Sequence, residues 1–433
     1  MAYRILSLDG GGSWALLQVM ALQQLYGENA QGHEVLKDFD LVAANSGGSI
    51  TLGGLATNRS LNDLLHNFFL NESQRALIFP RLAFSLRPRA LLNWALRRFF
   101  GVGEKYSTSR KFKAISDVLG NYAGCRLADL PGRIEGRNGE LELLIATFDY
   151  DRRRARFLRS NLKSLAGSSD PPDATLAEAI HASTTAPVNY FDRPAVCRVS
   201  PSLRHARFWD GAVAGLNNPV LAAVAEALAN DHRATDIQVL SLGTGTVQLP
   251  LLHEEQRRHR EFDPSLVDPG DDPDVVMDLK ELATSIVDDP PDTATFVAHI
   301  ILSRTTPEEQ GSLRPVRRVI RMSPVVRPLL DHNTWRPLQG LAVDGRGMPL
   351  SGTADEVYKA DLAAFATLAD LELDAIKTSE VNLIHRLGQL WIEGKALNQP
   401  IRRTVDFGYE TGNRTFAEAL EAWRTLSGLR PRG

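Results

Sequence analysis

One short turn constrains the first sixty residues more than any other feature. Ala44-Asn45-Ser46-Gly47-Gly48 follows an apolar run over 39–44 and precedes a segment with helical character. Small residues on both sides allow a bend so sharp that Cβ atoms would collide in it. A strand–turn–helix of this kind pushes its serine out at the end of a strand, close to the nucleophile-elbow pattern G-x-S-x-G. The helix that follows turns its first N–H groups toward whatever the serine binds. Here the first glycine of the pattern is Ala44. A serine followed by glycines is also the composition of an ordinary loop, so the turn needs company.

Two other segments supply it. Residues 3–8 read as a short apolar strand, followed by Asp9-Gly10-Gly11-Gly12 and a helix-like stretch over 13–26. Three glycines between a strand and a helix let backbone N–H groups converge on one small volume, which suits a phosphate or the oxyanion of an acyl-transfer intermediate. Far along the chain comes Phe208-Trp209-Asp210-Gly211-Ala212, then Gly215-Leu216-Asn217-Asn218-Pro219 and an Ala-rich helix. Asp210 ends an apolar run, from where a carboxylate reaches the top of a sheet.

D-G-G-G, a serine elbow about 35 residues later and a distant D-G-[GA] resemble, in order and spacing, the patatin-like phospholipase family, here as a bacterial patatin-like lipid acyl hydrolase. Thr184-Thr185-Ala186-Pro187 with Tyr190-Phe191, Asn217-Asn218-Pro219, the Ser241–Gly245 segment and the Asn398–Ile401 segment fit as well. The resemblance is strong over 3–250 and loose beyond. It implies a three-layer α/β/α fold with a mostly parallel sheet. It also implies a Ser46–Asp210 dyad for carboxylic esters of lipids and an oxyanion hole from Gly10, Gly11 and Gly12, with Gly47. No cofactor or metal is needed. The chain departs from the family pattern at Trp14 and Ala15, where an Arg or Lys and then a Gly are usual, and at Ala44. A weakly active or inactive lipid-binding relative, and an effector phospholipase that needs a signalling ligand, share the fold and stay open at this point.

A chain of 433 residues fits an α/β core of 1–250, with a helical lid-like insertion over 61–120, and a largely helical C-terminal elaboration over 251–433 packed on it. Strands are expected over 142–147, 155–159, 237–242 and 317–322, and helices over 175–183, 275–302 and 353–395. Net charge of −3 gives no reason to expect nucleic acid as partner. Two cysteines, Cys125 and Cys197, suit a reducing compartment. With no secretory pattern at the N-terminus and no long apolar run, the expectation is a cytoplasmic protein that visits a membrane surface. The acidic stretch 253–274, with eight acidic and three basic residues, reads as a solvated loop, since its spacing matches no calcium loop.

Histidine is the usual base for a serine, and ten are present. None lies in a motif expected to face Ser46, and His181, the nearest, reads as structural. Asp9 reads as an orienter of the glycine turn, and Asn217 and Asn218 as caps of the next helix. Trp14, Pro187, Tyr190 and Phe191 are expected at the pocket wall. The segment 77–101 has five arginines, five aromatics and no acid. That mixture suits a lid or a membrane interface, with Trp94, Arg97 and Arg98 as its contacts. A dinucleotide reading of Gly10-x-Gly12-x-x-Ala15 places its acid wrongly and leaves Ser46 and Asp210 unexplained.

Overall fold

The structure is a computed structural model that describes residues 2–82, 104–136, 141–161, 172–188, 190–252, 262–268, 290–303, 317–332, 334–402 and 410–429. Strands β1 (Tyr3–Leu8), β2 (Leu41–Ala44), β3 (Glu142–Asp149), β4 (Arg154–Arg159), β5 (Ala195–Cys197), β6 (Ala206–Asp210) and β7 (Ile237–Leu242) come first, followed by β8 (Thr246–Val247) and β9 (Val319–Met322). The central sheet has the order β5-β6-β3-β2-β1-β7-β9, with β4 also paired to β3. The stretch β3-β2-β1-β7-β9 is parallel; β4 and β6 pair antiparallel with β3, and β5 pairs antiparallel with β6.

The apolar strand runs are explained by their position. Parallel strands covered on both faces lose the apolar–polar alternation and become continuously hydrophobic. In β1, Leu6 and Leu8 join the larger core with Leu52, Leu55, Leu387 and Trp391. Tyr3 and Ile5 join a second core with Val220, Val224, Ala227 and Ala298. Successive side chains point to opposite faces of a sheet, so helices cover both sides and the fold is three-layer α/β/α.

The expected helix over 13–26 begins with a tight turn, Gly12–Ala15, and becomes α-helical over Leu16–Tyr26. The insertion over 61–120 is helical at Leu61–Asp63, Leu64–Phe69, Glu72–Ile78 and Thr108–Leu119. Its stretch 83–103 lies outside the described residues, as do most of 253–274 and the first part of 275–302. The expected helical stretch 353–395 is interrupted. It forms Ala354–Ala369 and Thr378–Ile392, joined by a loop through Leu373. The loop is held open by distant partners: Ser13 donates its N–H to the Leu373 carbonyl (3.1 Å) and its hydroxyl to that of Ala375 (2.7 Å). Among the described residues no helix is long and apolar enough to cross a membrane.

The later part of the chain is tied to the sheet by charge. Asp9, at the end of β1, pairs with Arg321 of β9 at 2.6 Å, both within 3% of full burial. Arg321 also donates to Ser241 (2.8 Å) and Gln399 (3.0 Å), Gln399 donates to Asp292, and Asp292 pairs with Arg402. Burial pushes the Asp9 carboxyl up to about 6, with Arg321 pulling the other way. Removing one partner of a buried pair leaves an uncompensated charge, which costs about 3–5 kcal/mol. Arg321→Met is therefore expected to lower unfolding free energy by about that amount in urea denaturation, and Asp9→Asn combined with it to restore part of the loss.

Candidate active site

Ser46 has φ +46°. A left-handed conformation is costly for a residue with a Cβ and persists only where surroundings impose it. They do so here. Ser46 gives its N–H to the Ser183 hydroxyl (2.9 Å), and the Asn45 carbonyl accepts the N–H of Gly48 (2.8 Å). A Cβ on Gly47 would lie 2.7 Å from the backbone nitrogen of Gly12. At its start the elbow helix, Ser46–Ala56, packs on the end of β1 and the glycine turn through Gly47 and Gly48, while Gly53 and Gly54 give room to Ile180 and Leu64.

Strand register brings Asp210 to this serine. Ala44 pairs with Ile145 of β3, and Asp210 pairs with Thr147, two residues further along β3. The carboxylate thus stands level with Ser46, at the carboxyl end of the parallel strands, where ligands of such sheets bind. It accepts the side-chain amide of Asn45 (3.0 Å) and the N–H of Ala212 (2.9 Å), and the Ser46 hydroxyl stands beside it. Complete burial pushes the Asp210 carboxyl up. The Ser46 hydroxyl, the Ala212 N–H, the Asn45 amide and the Lys111 charge pull it down in that order, and burial prevails. None of these partners is a histidine. His181 lies buried in the helix Leu176–Ser183, beside Phe112. Burial holds it well below its usual range, with Lys111 adding to the effect.

The glycine turn is only partly as expected. Gly10 donates its N–H to the Asn217 carbonyl (2.8 Å), so that donor is committed and unavailable to an oxyanion. A Cβ on Gly10 would also lie 2.8 Å from the Asn45 amide nitrogen. Gly10 thus joins Asn217 to the elbow. Gly12 and Gly47 line a narrow cleft that contains Ser46. Gly11 stands against Thr244, which donates its hydroxyl to the Gly10 carbonyl (2.5 Å).

Tyr190 and Phe191 also line the cleft, with Ile50, Ile78, Phe79, Thr184, Ala186 and Leu373. Pro187 is half-buried, and its neighbour Ala186 takes the lining position. Trp14 is buried with its ring against Gly245, in the core and outside the cleft. A ring following a sharp turn reads in sequence as a wall, but the tight turn Gly12–Ala15 carries it inward. Trp94, Arg97 and Arg98 lie outside the described residues. Asn218 accepts the N–H of Val220 (3.0 Å) at the start of the helix Val220–Ala229. It behaves as the expected cap, whereas Asn217 serves the turn through its carbonyl.

Two residues that matter had no sequence signal. Lys111 is fully buried in the helix Thr108–Leu119. Its ammonium donates to Thr185 (2.6 Å), Thr184 (3.0 Å) and the His181 carbonyl (3.2 Å), and lies 4.0 Å from the Phe191 ring centre. Thr185 in turn accepts the Asp210 N–H at its carbonyl (2.8 Å). Burial pushes Lys111 well below the usual lysine range. Leu373 reaches the cleft from the interhelical loop, where Asp374 accepts the Tyr106 hydroxyl and pairs with Lys105 (3.4 Å). Lysine in an amphipathic helix reads as solvent-facing, and nothing local marks a leucine as the wall of a site assembled from the other end of the chain.

Ser46 at the elbow, the buried Asp210 and the glycine turn thus meet at one end of the parallel strands. Residues 6–224 match the patatin-like phospholipase family. That is half of the chain, and the chain belongs to this family. Membership sets the class of chemistry: hydrolysis of lipid acyl esters. No curated protein matches the chain. Among solved structures it is similar to VipD from Legionella pneumophila, at 10% identity and TM-score 0.35, over 90% of this chain and 67% of that one. It is also similar to human GIVD cytosolic phospholipase A2, at 11% identity and TM-score 0.36, over 99% of this chain and 61% of that one.

Proposed function

We propose that the chain hydrolyses acyl esters of phospholipids or related lipids through Ser46 and Asp210. The observation that carries this is the placing of the elbow serine, Ser46, beside a buried carboxylate that desolvation raises and that Asn45 and the Ala212 N–H hold in place. Asp210 takes the proton as Ser46 attacks the ester carbonyl. The alcohol leaves with that proton. Asp210 then activates water, which releases the fatty acid and restores the serine. The oxyanion is held by the N–H groups of Gly11, Gly12 and Gly47, which the backbone bonding among the described residues leaves uncommitted. Each such donor contributes about 10²–10³ in rate. Asn45 and the Ala212 N–H fix the carboxylate, and Lys111 holds the Thr184 and Thr185 hydroxyls behind it.

The residues beyond 250 belong to the working unit on this reading, because Leu373 and Arg321 support the site directly. The segment 77–101 acts as lid and membrane contact. Most of it lies outside the described residues; its described neighbours meet beside Phe79 of the cleft, where Leu82 donates to the Lys105 carbonyl (3.0 Å) and Ser107 to that of Pro80 (2.8 Å).

Treatment with a fluorophosphonate should add one adduct by intact mass, absent in Ser46→Ala, with ester hydrolysis lost in parallel. Asp210→Asn should lower kcat about 10²–10⁴-fold with thermal stability nearly unchanged. Turnover retained by either variant would sink the dyad. A base must be ionised, so activity should fall as pH drops through the Asp210 pKa, with a midpoint above the usual value of about 3.9. Asn45→Ala removes a bond to the ionised form, so it should move that limb of kcat/KM to higher pH. For the membrane contact, neutralising Arg97 and Arg98 should weaken sedimentation with anionic vesicles, and added salt should erase the difference. Equal binding at low salt would refute that contact.

A further inference from the structure

Lys111 is fully buried, yet among the described residues its side-chain nitrogen hydrogen-bonds to neutral groups: the Thr185 hydroxyl (2.6 Å), the Thr184 hydroxyl (3.0 Å) and the His181 carbonyl (3.2 Å). Counting protons fixes its charge. Each threonine hydroxyl has one proton. Thr184 gives its proton to the Ile180 carbonyl (2.7 Å), and Thr185 gives its proton to the His181 carbonyl. Both hydroxyl oxygens can therefore only accept from Lys111, as can the carbonyl. Three donors are needed at one nitrogen, and a lysine has three as an ammonium. A neutral amine would leave one of these buried acceptors facing a lone pair. The Phe191 ring, with its centre 4.0 Å from the nitrogen, also favours a cation.

The surrounding charges leave one counter-ion. Cys197 of β5 is a thiol that burial pushes up, and His181 is an imidazole that burial holds down, so both are neutral. Glu178 accepts from Thr175 at the far end of the helix Leu176–Ser183. Asp192 accepts the Thr108 N–H at the start of the lysine's own helix and pairs with Arg193. Arg75, from the helix Glu72–Ile78 packed alongside, donates to the Phe69 and Ile376 carbonyls. Asp210 of β6 remains. Its N–H goes to the carbonyl of Thr185 (2.8 Å), the residue whose hydroxyl Lys111 holds. A dry interior carries the field of a charge further than water does.

We infer that Lys111 is a buried ammonium whose counter-charge is the Asp210 carboxylate, so that this positioning residue, which meets no substrate, sets the pH above which the site can take the Ser46 proton. The inference rests on Asp210 being the base. Burial opposes the arrangement at both ends, lowering Lys111 and raising Asp210, and the charge of each offsets part of that effect on the other. The serine proton moves to Asp210, while Lys111 keeps its three protons throughout because each is committed to an acceptor.

The test reads charge and turnover separately on the full chain. In nitrogen NMR of isotope-labelled protein, Lys111 is recognised by slow hydrogen exchange, and its signal should be that of an ammonium at neutral pH. Coupling between two charges is reciprocal. Asp210→Asn should therefore lower the pH at which that ammonium is lost by about one pH unit. Removing the cation raises the carboxyl, and a base must be ionised, so Lys111→Met should move the acid limb of kcat/KM for p-nitrophenyl acetate up by about one pH unit. Lys111→Arg keeps the charge and should keep the wild-type limb, whereas loss of a purely structural brace would lower kcat and leave the limb in place. A neutral amine in the wild type at neutral pH, an ammonium lost at the same pH in Asp210→Asn, or an unmoved limb in folded Lys111→Met would each overturn the pairing. If Lys111→Met loses its circular dichroism spectrum, Asp210→Asn decides, since it changes one carboxylate oxygen to an amide. Failure of the dyad looks different: ester turnover would survive in Ser46→Ala while the Lys111 signal still responded to Asp210→Asn.

Discussion

The buried pair between Asp9 and Arg321 is the contact on which the rest of the molecule depends. It joins the last residue before the glycine turn to the outermost parallel strand. Through Gln399, Asp292 and Arg402 it continues into segments from the last third of the chain. A buried ion pair is weak evidence for stability in itself, because desolvation offsets much of the attraction. What it provides is position. The glycine turn has no side chains of its own to anchor it, so Asp9 below it and Asn217 and Thr244 beside it set where its N–H groups stand.

That fixed turn and the elbow together account for the proposed pair of Ser46 and Asp210, which contains no histidine. A carboxylate in water is too weak a base to activate a hydroxyl. Asp210 is lifted by complete burial, while Asn45, Ala212 and Ser46 keep its ionised form from becoming prohibitively costly. The opposing effects leave it raised but still served by Asn45 and the Ala212 N–H. The balance also explains why Ser46 and Asp210 belong to neighbouring regions of the sheet. Antiparallel β6 delivers the aspartate from the opposite direction to the elbow, so the two side chains meet without a long connecting loop.

Much of this was legible in the chain because it is written locally. Apolar runs ending in glycine turns marked β1, β2 and β7, and the small residues around Ser46 marked the elbow. Resemblance to a family marked Asp210, and β3–β6 register explains its reach. Misreadings came where a residue's partner lies far away. Trp14 follows a sharp turn and looked like a wall, but Gly245 gives its ring a place in the core. Gly10 looked like a donor until Asn217 claimed its N–H. Lys111, Arg321 and Leu373 carry no local pattern at all, since their roles exist only after distant segments have docked. The departures at Ala15 and Ala44 are accommodated in the core: both are fully buried, and the Ala15 methyl stands where a Cβ on Gly47 would come within 3.1 Å of it.

The contact between Ser13 and Leu373 spans 360 positions of the chain. During synthesis, from the N-terminus at about 5–20 residues per second, the serine emerges early and the carbonyl that steadies its neighbouring turn emerges late. A nascent chain therefore carries the proposed nucleophile long before it carries the wall and brace of the site. The order of residues along the polypeptide acts as a clock that delays the assembled pocket until the segment around Leu373 has emerged.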